Sequence, residues 1–137
     1  GKVALTGGVP SSNRTVALMV PADGETGSRA GCFRYDAPTP FSAITDGLSQ
    51  TVLFGEVSAD LGPWLRGGPA TIRCLDTTPA ARAIIGPTAQ FGGNHEGGAN
   101  FAFADHSVRF LTLRTDPQVL RNLFTIAGGT PETLPGE

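Results

Sequence analysis

Cationic stripes, long apolar runs and cysteine pairs at close spacing are all missing from this sequence. The ten basic residues, nine of them Arg, are scattered from Lys2 to Arg121. They form no basic stripe, and formal net charge is −2, so a nucleic-acid partner is not expected. No apolar run approaches a membrane span, and GKVALTGGVPSSN has no signal-peptide core. The two cysteines, Cys32 and Cys74, exclude a zinc knuckle or C-x-x-C site by their spacing. They can close one disulfide loop of about 43 residues, worth about 4 kcal/mol, or remain two thiols. Charge runs that would mark a disordered tail are absent too.

What is present is glycine and proline, 19 and 11 of 137 residues. Irregular connections should be long and helices few. The length suits one domain spanning 1–137 with one core. We find no internal repeat or boundary.

Strand candidates are VALMV at 16–20 and GCFRY at 31–35, each closed by turn-rich sequence. In FSAITDGLSQTVLFGE (41–56), Ile44, Leu48 and Thr51 recur at helical spacing with Ser42 as N-cap, so one or two helical turns should feed a buried strand at 51–55. Residues 57–94 hold little periodicity, and Trp64 is the only tryptophan. In the last segment Asp116 can cap a helix that starts at Pro117, buries Leu120, Leu123, Phe124 and Ala127 on one stripe, and stops at Gly128-Gly129.

The most informative stretch is HEGGANFAFADHSVRFLTL at 95–113, which holds both histidines, His95 and His106. A two-residue turn at Asp105-His106 would pair Phe103 with Val108 and Phe101 with Phe110 on one buried face, with Ala104–Ser107, Ala102–Arg109 and Asn100–Leu111 on the other. Phe101, Phe103 and Phe110 should then dominate stability. Ten residues of extended chain span about 33 Å, so His95 meets Asp105 only if Gly97-Gly98 reverses the chain.

Catalytic templates fail here. His95-Glu96 opens like H-E-x-x-H, but Ala99 stands where the second ligand should be. Gly47-Leu48-Ser49-Gln50-Thr51 lacks the final glycine of a nucleophile elbow. No phosphate-binding glycine loop or EF-hand spacing occurs, and paired carboxylates cannot be nominated. The expectation is a protein that is not an enzyme.

His95 and Asp105, nine residues between them, sit in a segment that resembles the C-terminal signature of a bacterial exported family. That family is named for prepilin-type processing and its H-X9-D-G motif, written H-x-G-G-A-N-F-x-F-A-D-G-S-V-R-F. ITDGLSQTVLFGE at 44–56 is similar to the family's I-T-D-G-T-S-N-T-x-x-x-G-E, and GCFRY to its G-x-F strand. The likeness runs over residues 31 to 129. Its motif positions here are Asp46, Gly47, Ser49, Glu56, His95, Gly97, Gly98, Asn100 and Asp105. His106 departs from the family's glycine at the hairpin tip, where positive φ favours Gly, so the turn should differ in width or type. Gln50 replaces an asparagine.

The resemblance implies an α+β, loop-rich, pseudopilin-like head: a small antiparallel sheet packed with a few short helices. It implies a place outside the cytoplasm (periplasm, envelope or surface) and action by assembly or display with other protein subunits, as in pilus- or type II secretion-related systems. Full-length members begin with a leader and a long apolar helix, so this chain looks like the head alone, with no other membrane contact. The motif residues are then expected to be mainly structural, with Asp46-Gly47 a turn element, His95 a hydrogen-bonding histidine and Asp105 a turn residue. No cofactor is expected. One alternative gathers Asp46, Glu56 and Asp105 around calcium, as in some pseudopilin heads. The family is also catalogued as extracellular solute-binding, which keeps open a carbohydrate or small-solute module with Trp64 on its lip.

Overall fold

The computed structural model describes residues 14–18, 31–33, 38–59, 61, 72–76 and 78–128. Five strands form one sheet: β1 (Arg14–Leu18), β2 (Val52–Val57), β3 (Ile72–Arg73), β4 (Gly98–Phe103) and β5 (Val108–Thr112). Their spatial order is β3-β1-β2-β4-β5. Every pairing is antiparallel except the two-residue contact of β3 with β1. Among the described residues, one helix, α1 (Pro117–Leu123), and single 3-10 turns at Phe41–Ala43 and Leu48–Gln50 complete the elements. The α+β expectation holds. Two strand candidates are met in part, by β1 and by a single bridge residue at Phe33.

One sheet face is dry because alternate residues of β4 carry the apolar groups: Ala99, Phe101 and Phe103 are all buried. Leu120 and Leu123 of α1, with the following Phe124, cover them together with Ile84, Ile85 and Phe91 from the loop after β3. The rings of Phe91 and Phe124 stack with centroids 5.0 Å apart, and Phe101 meets Phe124 edge-on. Gly55 lets these rings lie directly on β2. A Cβ there would come within 2.6 Å of the Phe101 ring. Arg73 pins the long loop from beneath, its guanidinium donating to the carbonyls of Gln90 (2.5 Å) and Ala59 (2.8 Å).

The hairpin register differs from the expected one by a single residue. Asn100 lies opposite Phe110, Phe101 opposite Arg109 and Ala102 opposite Val108. The cause is at the tip. His106 takes φ 71°, its N–H donates to the Phe103 carbonyl, and the Phe103 N–H donates to the Ser107 carbonyl. Ala104, Asp105 and His106 thus make a three-residue loop closed by a left-handed residue, in place of the two-residue turn. With side chains alternating at period 2, the odd loop turns β5 over. Leu111 becomes the buried residue of that strand, while Val108 (66% exposed) and Phe110 (46%) face outward. Arg109 falls on the core side and lays its guanidinium 4.7 Å from the Phe103 ring centre.

Two further corrections concern helices. Ser42 caps nothing; its 3-10 turn starts after Pro40 with no side-chain cap, and Gly47, at φ 101°, separates the two short turns. Asp116 does cap α1, accepting from the N–H groups of Gln118 and Val119, with Pro117 in the first turn. The helix ends at Leu123, however, short of Gly128-Gly129, because residues 125–128 are drawn away to bond Asp46 and its neighbours. Ala127 therefore lies outside the helical stripe.

Candidate functional site

The sheet register assembles the first cluster. A register shift between Val52 and Phe54 inserts Leu53 as an extra residue in β2. Val52 and Gly55 both remain aligned with Phe103 and Phe101, and the continuing register sets Glu56 across from Asn100. Since Asn100 is opposite Phe110, one row crosses three strands on the outer face: Glu56, Asn100, Phe110.

His95 completes this row. Gly97, at φ 83°, bends the chain before β4, a conformation that an L side chain adopts with difficulty. Gly98 then lets β5 approach, since a Cβ would come within 2.2 Å of the Leu111 carbonyl oxygen. The bend carries His95 back over the sheet. Its Nε2 lies 3.2 Å from Glu56 Oε1, and its ring meets Phe110 edge-on with centroids 6.2 Å apart. Glu56 accepts further bonds from the Asn100 backbone N–H at 2.8 Å and the Asn100 side-chain amide at 3.2 Å. Partial burial alone would raise the Glu56 carboxyl. The Asn100 bonds and the nearby imidazole outweigh that and hold it below the usual carboxylate range. The Glu56 side chain is 15% exposed and that of His95 49%.

A second cluster surrounds Asp46. Its Oδ2 accepts from the Gly128 N–H at 2.7 Å and the Thr125 hydroxyl at 3.0 Å, while its own N–H donates to the Ile126 carbonyl. The fully buried Thr51 donates its hydroxyl to the Gly47 carbonyl, and its carbonyl accepts from Ala104 N–H. Asp105 N–H donates to the Leu48 carbonyl. The 46–51 loop thus clasps the C-terminal segment on one side and the hairpin tip on the other. Ser49 sits half-buried in its short 3-10 turn. None of Thr51, Thr125 and Gly128 carried a site role in the sequence, where Thr51 fits a helical spacing and Gly128 the helix stop. The alternating hydroxyls of I-T-D-G-L-S-Q-T were the one available hint.

Asp105 does not meet His95. It closes the hairpin loop, accepting from the Ser107 hydroxyl (2.7 Å) and N–H (2.9 Å), which hold its carboxyl low, with Arg109 3.8 Å away.

The calcium grouping is therefore corrected. Asp46, Glu56 and Asp105 each serve a separate set of local donors. Among the described residues no three His, Cys, Asp or Glu side chains converge as a metal would require. The disulfide option is corrected too: Cys32 and Cys74 are not joined to one another, and each carries a thiol. Cys32 is buried beside Ile44 and Ala104, where burial pushes its thiol up to about 12, and Cys74 is exposed after β3. Trp64, the proposed lip of a solute site, lies outside the described residues. No helix among the described residues is long and apolar enough to cross a membrane.

Searches of the curated proteins and of the solved structures found no match to this chain. A family model does match, over residues 5–76 and 67–118, under the name SBP_bac_10 and the description "Protein of unknown function (DUF1559)". The matched span takes in the Glu56–His95–Asn100 row, the 46–51 clasp and the hairpin. The chain belongs to the DUF1559 family.

Proposed function

We infer that this protein is a non-enzymatic, extracytoplasmic head of pseudopilin type that works by assembly or display with other envelope subunits. The observation that carries this reading is the use of the motif residues. Glu56 is bonded by His95 and Asn100, Asp46 by Thr125 and Gly128, and Asp105 by Ser107. These are bonds that join strands, tail and hairpin tip. Among the described residues, the one polar partner of His95 is Glu56, and no serine, threonine or cysteine is hydrogen-bonded to it as a nucleophile would be. The H-X9-D-G resemblance supports the prepilin-type part of the reading, and the family name SBP_bac_10 agrees with its exported, solute-binding cataloguing.

Fractionating cells that express the full-length gene product, followed by cross-linking through a photoreactive residue at Val108, tests this. Recovery in the envelope with adducts between copies or to defined envelope subunits is expected. Cytosolic recovery of the intact product with no such adducts would refute it.

A further inference from the structure

Away from these clusters, a groove of about 360 Å³ opens between the segment after β3 and the start of α1. Its size is at the low end of the roughly 300–1,000 Å³ of small-molecule sites, the scale of a single amino acid or dipeptide. The lining mixes apolar surface with charges of both signs. Ile84 and Ile85, themselves almost covered by the core, contribute apolar lining, and Leu113 presents a half-exposed isobutyl group. Arg82, Arg121 and Asp76 add charged residues to the lining, and the Arg82 guanidinium also donates to the Thr88 carbonyl at 3.4 Å.

The placement of these groups is built into the fold. Arg121 projects from α1, whose first turn is held by the Asp116 cap. Asp76 is set by accepting the Thr78 N–H at 2.9 Å, a bond that also holds its carboxyl below the usual range. Gln90 holds the same segment from below, its amide accepting from Asp76 N–H and donating to the Asp76 and Arg82 carbonyls. Asp76 and Arg82 therefore both stand on one buried glutamine, 5% exposed.

Two guanidiniums suit a carboxylate, which they bind with parallel N–H donors. A lone anion would also meet the Asp76 charge, so the carboxylate side chain favours a ligand that carries its own cation. We propose that this groove is a binding site for small zwitterions of the amino-acid type with an aliphatic side chain, the ligand carboxylate meeting Arg82 and Arg121, its ammonium meeting Asp76, and its hydrocarbon resting on Leu113, Ile84 and Ile85. The site is separate from the Glu56–His95 row, so its failure leaves the assembly reading untouched.

Three matched probes test it: L-leucine, isocaproate (which lacks the ammonium) and isoamylamine (which lacks the carboxylate). Each is titrated into the isotope-labelled chain while backbone amide shifts are followed. L-leucine should move the amides of Leu113 and Arg121 and bind about tenfold or more tightly than either analogue. Arg121→Gln and Arg82→Gln, with otherwise unchanged spectra, should each weaken it about tenfold. Asp76→Asn should abolish the preference for L-leucine over isocaproate. The site is refuted if L-leucine moves no groove amide up to roughly 10 mM, if all three probes bind alike, or if both Arg variants bind L-leucine as the parent does.

Discussion

His95 Nε2 stands 3.2 Å from the carboxylate of Glu56, a residue 39 positions earlier in the chain, and the 44–56 and 95–113 segments meet through that contact. Glu56 is the centre of the pair. It is the more buried partner and is bonded at closer range by the Asn100 backbone N–H, 2.8 Å away. Glu56→Ala should therefore cost about 1–3 kcal/mol, the penalty for leaving a partly buried donor unmatched. His95→Ala removes only a half-exposed hydrogen-bond partner and should cost about 1 kcal/mol or less. Urea melts of both variants check the order. Equal losses, or a larger loss for His95, would place the anchor on the imidazole.

Acid should weaken the same row. The folded-state pKa of Glu56 is depressed, so its contribution is complete above the unfolded value of about 4.3 and is lost as pH falls through the lower folded value. Asp105, also depressed, acts in the same direction just below about 3.9. Midpoint denaturant concentrations measured between neutral pH and about pH 3 should fall in that window, and Glu56→Gln should flatten the decline. An unchanged decline in the variant would show that Glu56 gains nothing from its partners.

The register separates two phenylalanines that periodicity alone treats as equivalents. Phe103 is fully buried under Arg109, and Phe110 is 46% exposed on the opposite face. Phe103→Ala is expected to cost about 3–5 kcal/mol. Phe110→Ala, which loses the edge contact with His95 but opens no enclosed cavity, should cost about 1 kcal/mol or less. Denaturant midpoints decide. Similar large losses at both positions would restore the two-residue turn.

At the hairpin tip, His106 holds φ 71° where glycine carries no steric penalty. The left-handed conformation costs an L-residue about 1–2 kcal/mol, against a smaller entropic cost of roughly 0.5–1 kcal/mol for introducing glycine. His106→Gly should thus raise stability by up to about 1 kcal/mol, and His106→Val, β-branched, should lower it. A thermal melt of each variant is the check. A destabilised glycine variant would mean that the imidazole makes a compensating contact.

Local chemistry by itself determined much of this protein. The alternation of Ala99, Phe101 and Phe103 specifies a half-buried strand, and Asp116-Pro117 specifies where α1 begins, because each signal is read over a few neighbouring residues. His106, standing where the resembled motif has glycine, was legible as an unusual turn. Which turn it was, and so which face Phe110 occupies, depended on one backbone angle and the closing bonds between Phe103, His106 and Ser107. Only the tertiary structure decided that Glu56 is bonded by Asn100 and His95, and that Asp46 reaches Gly128 across 82 positions. A carboxylate's identity says that it needs donors. Which donors it gets follows from strand order and register, here β4 lying between β2 and β5 with Leu53 inserted, and those are properties of the assembled sheet that no local pattern carries.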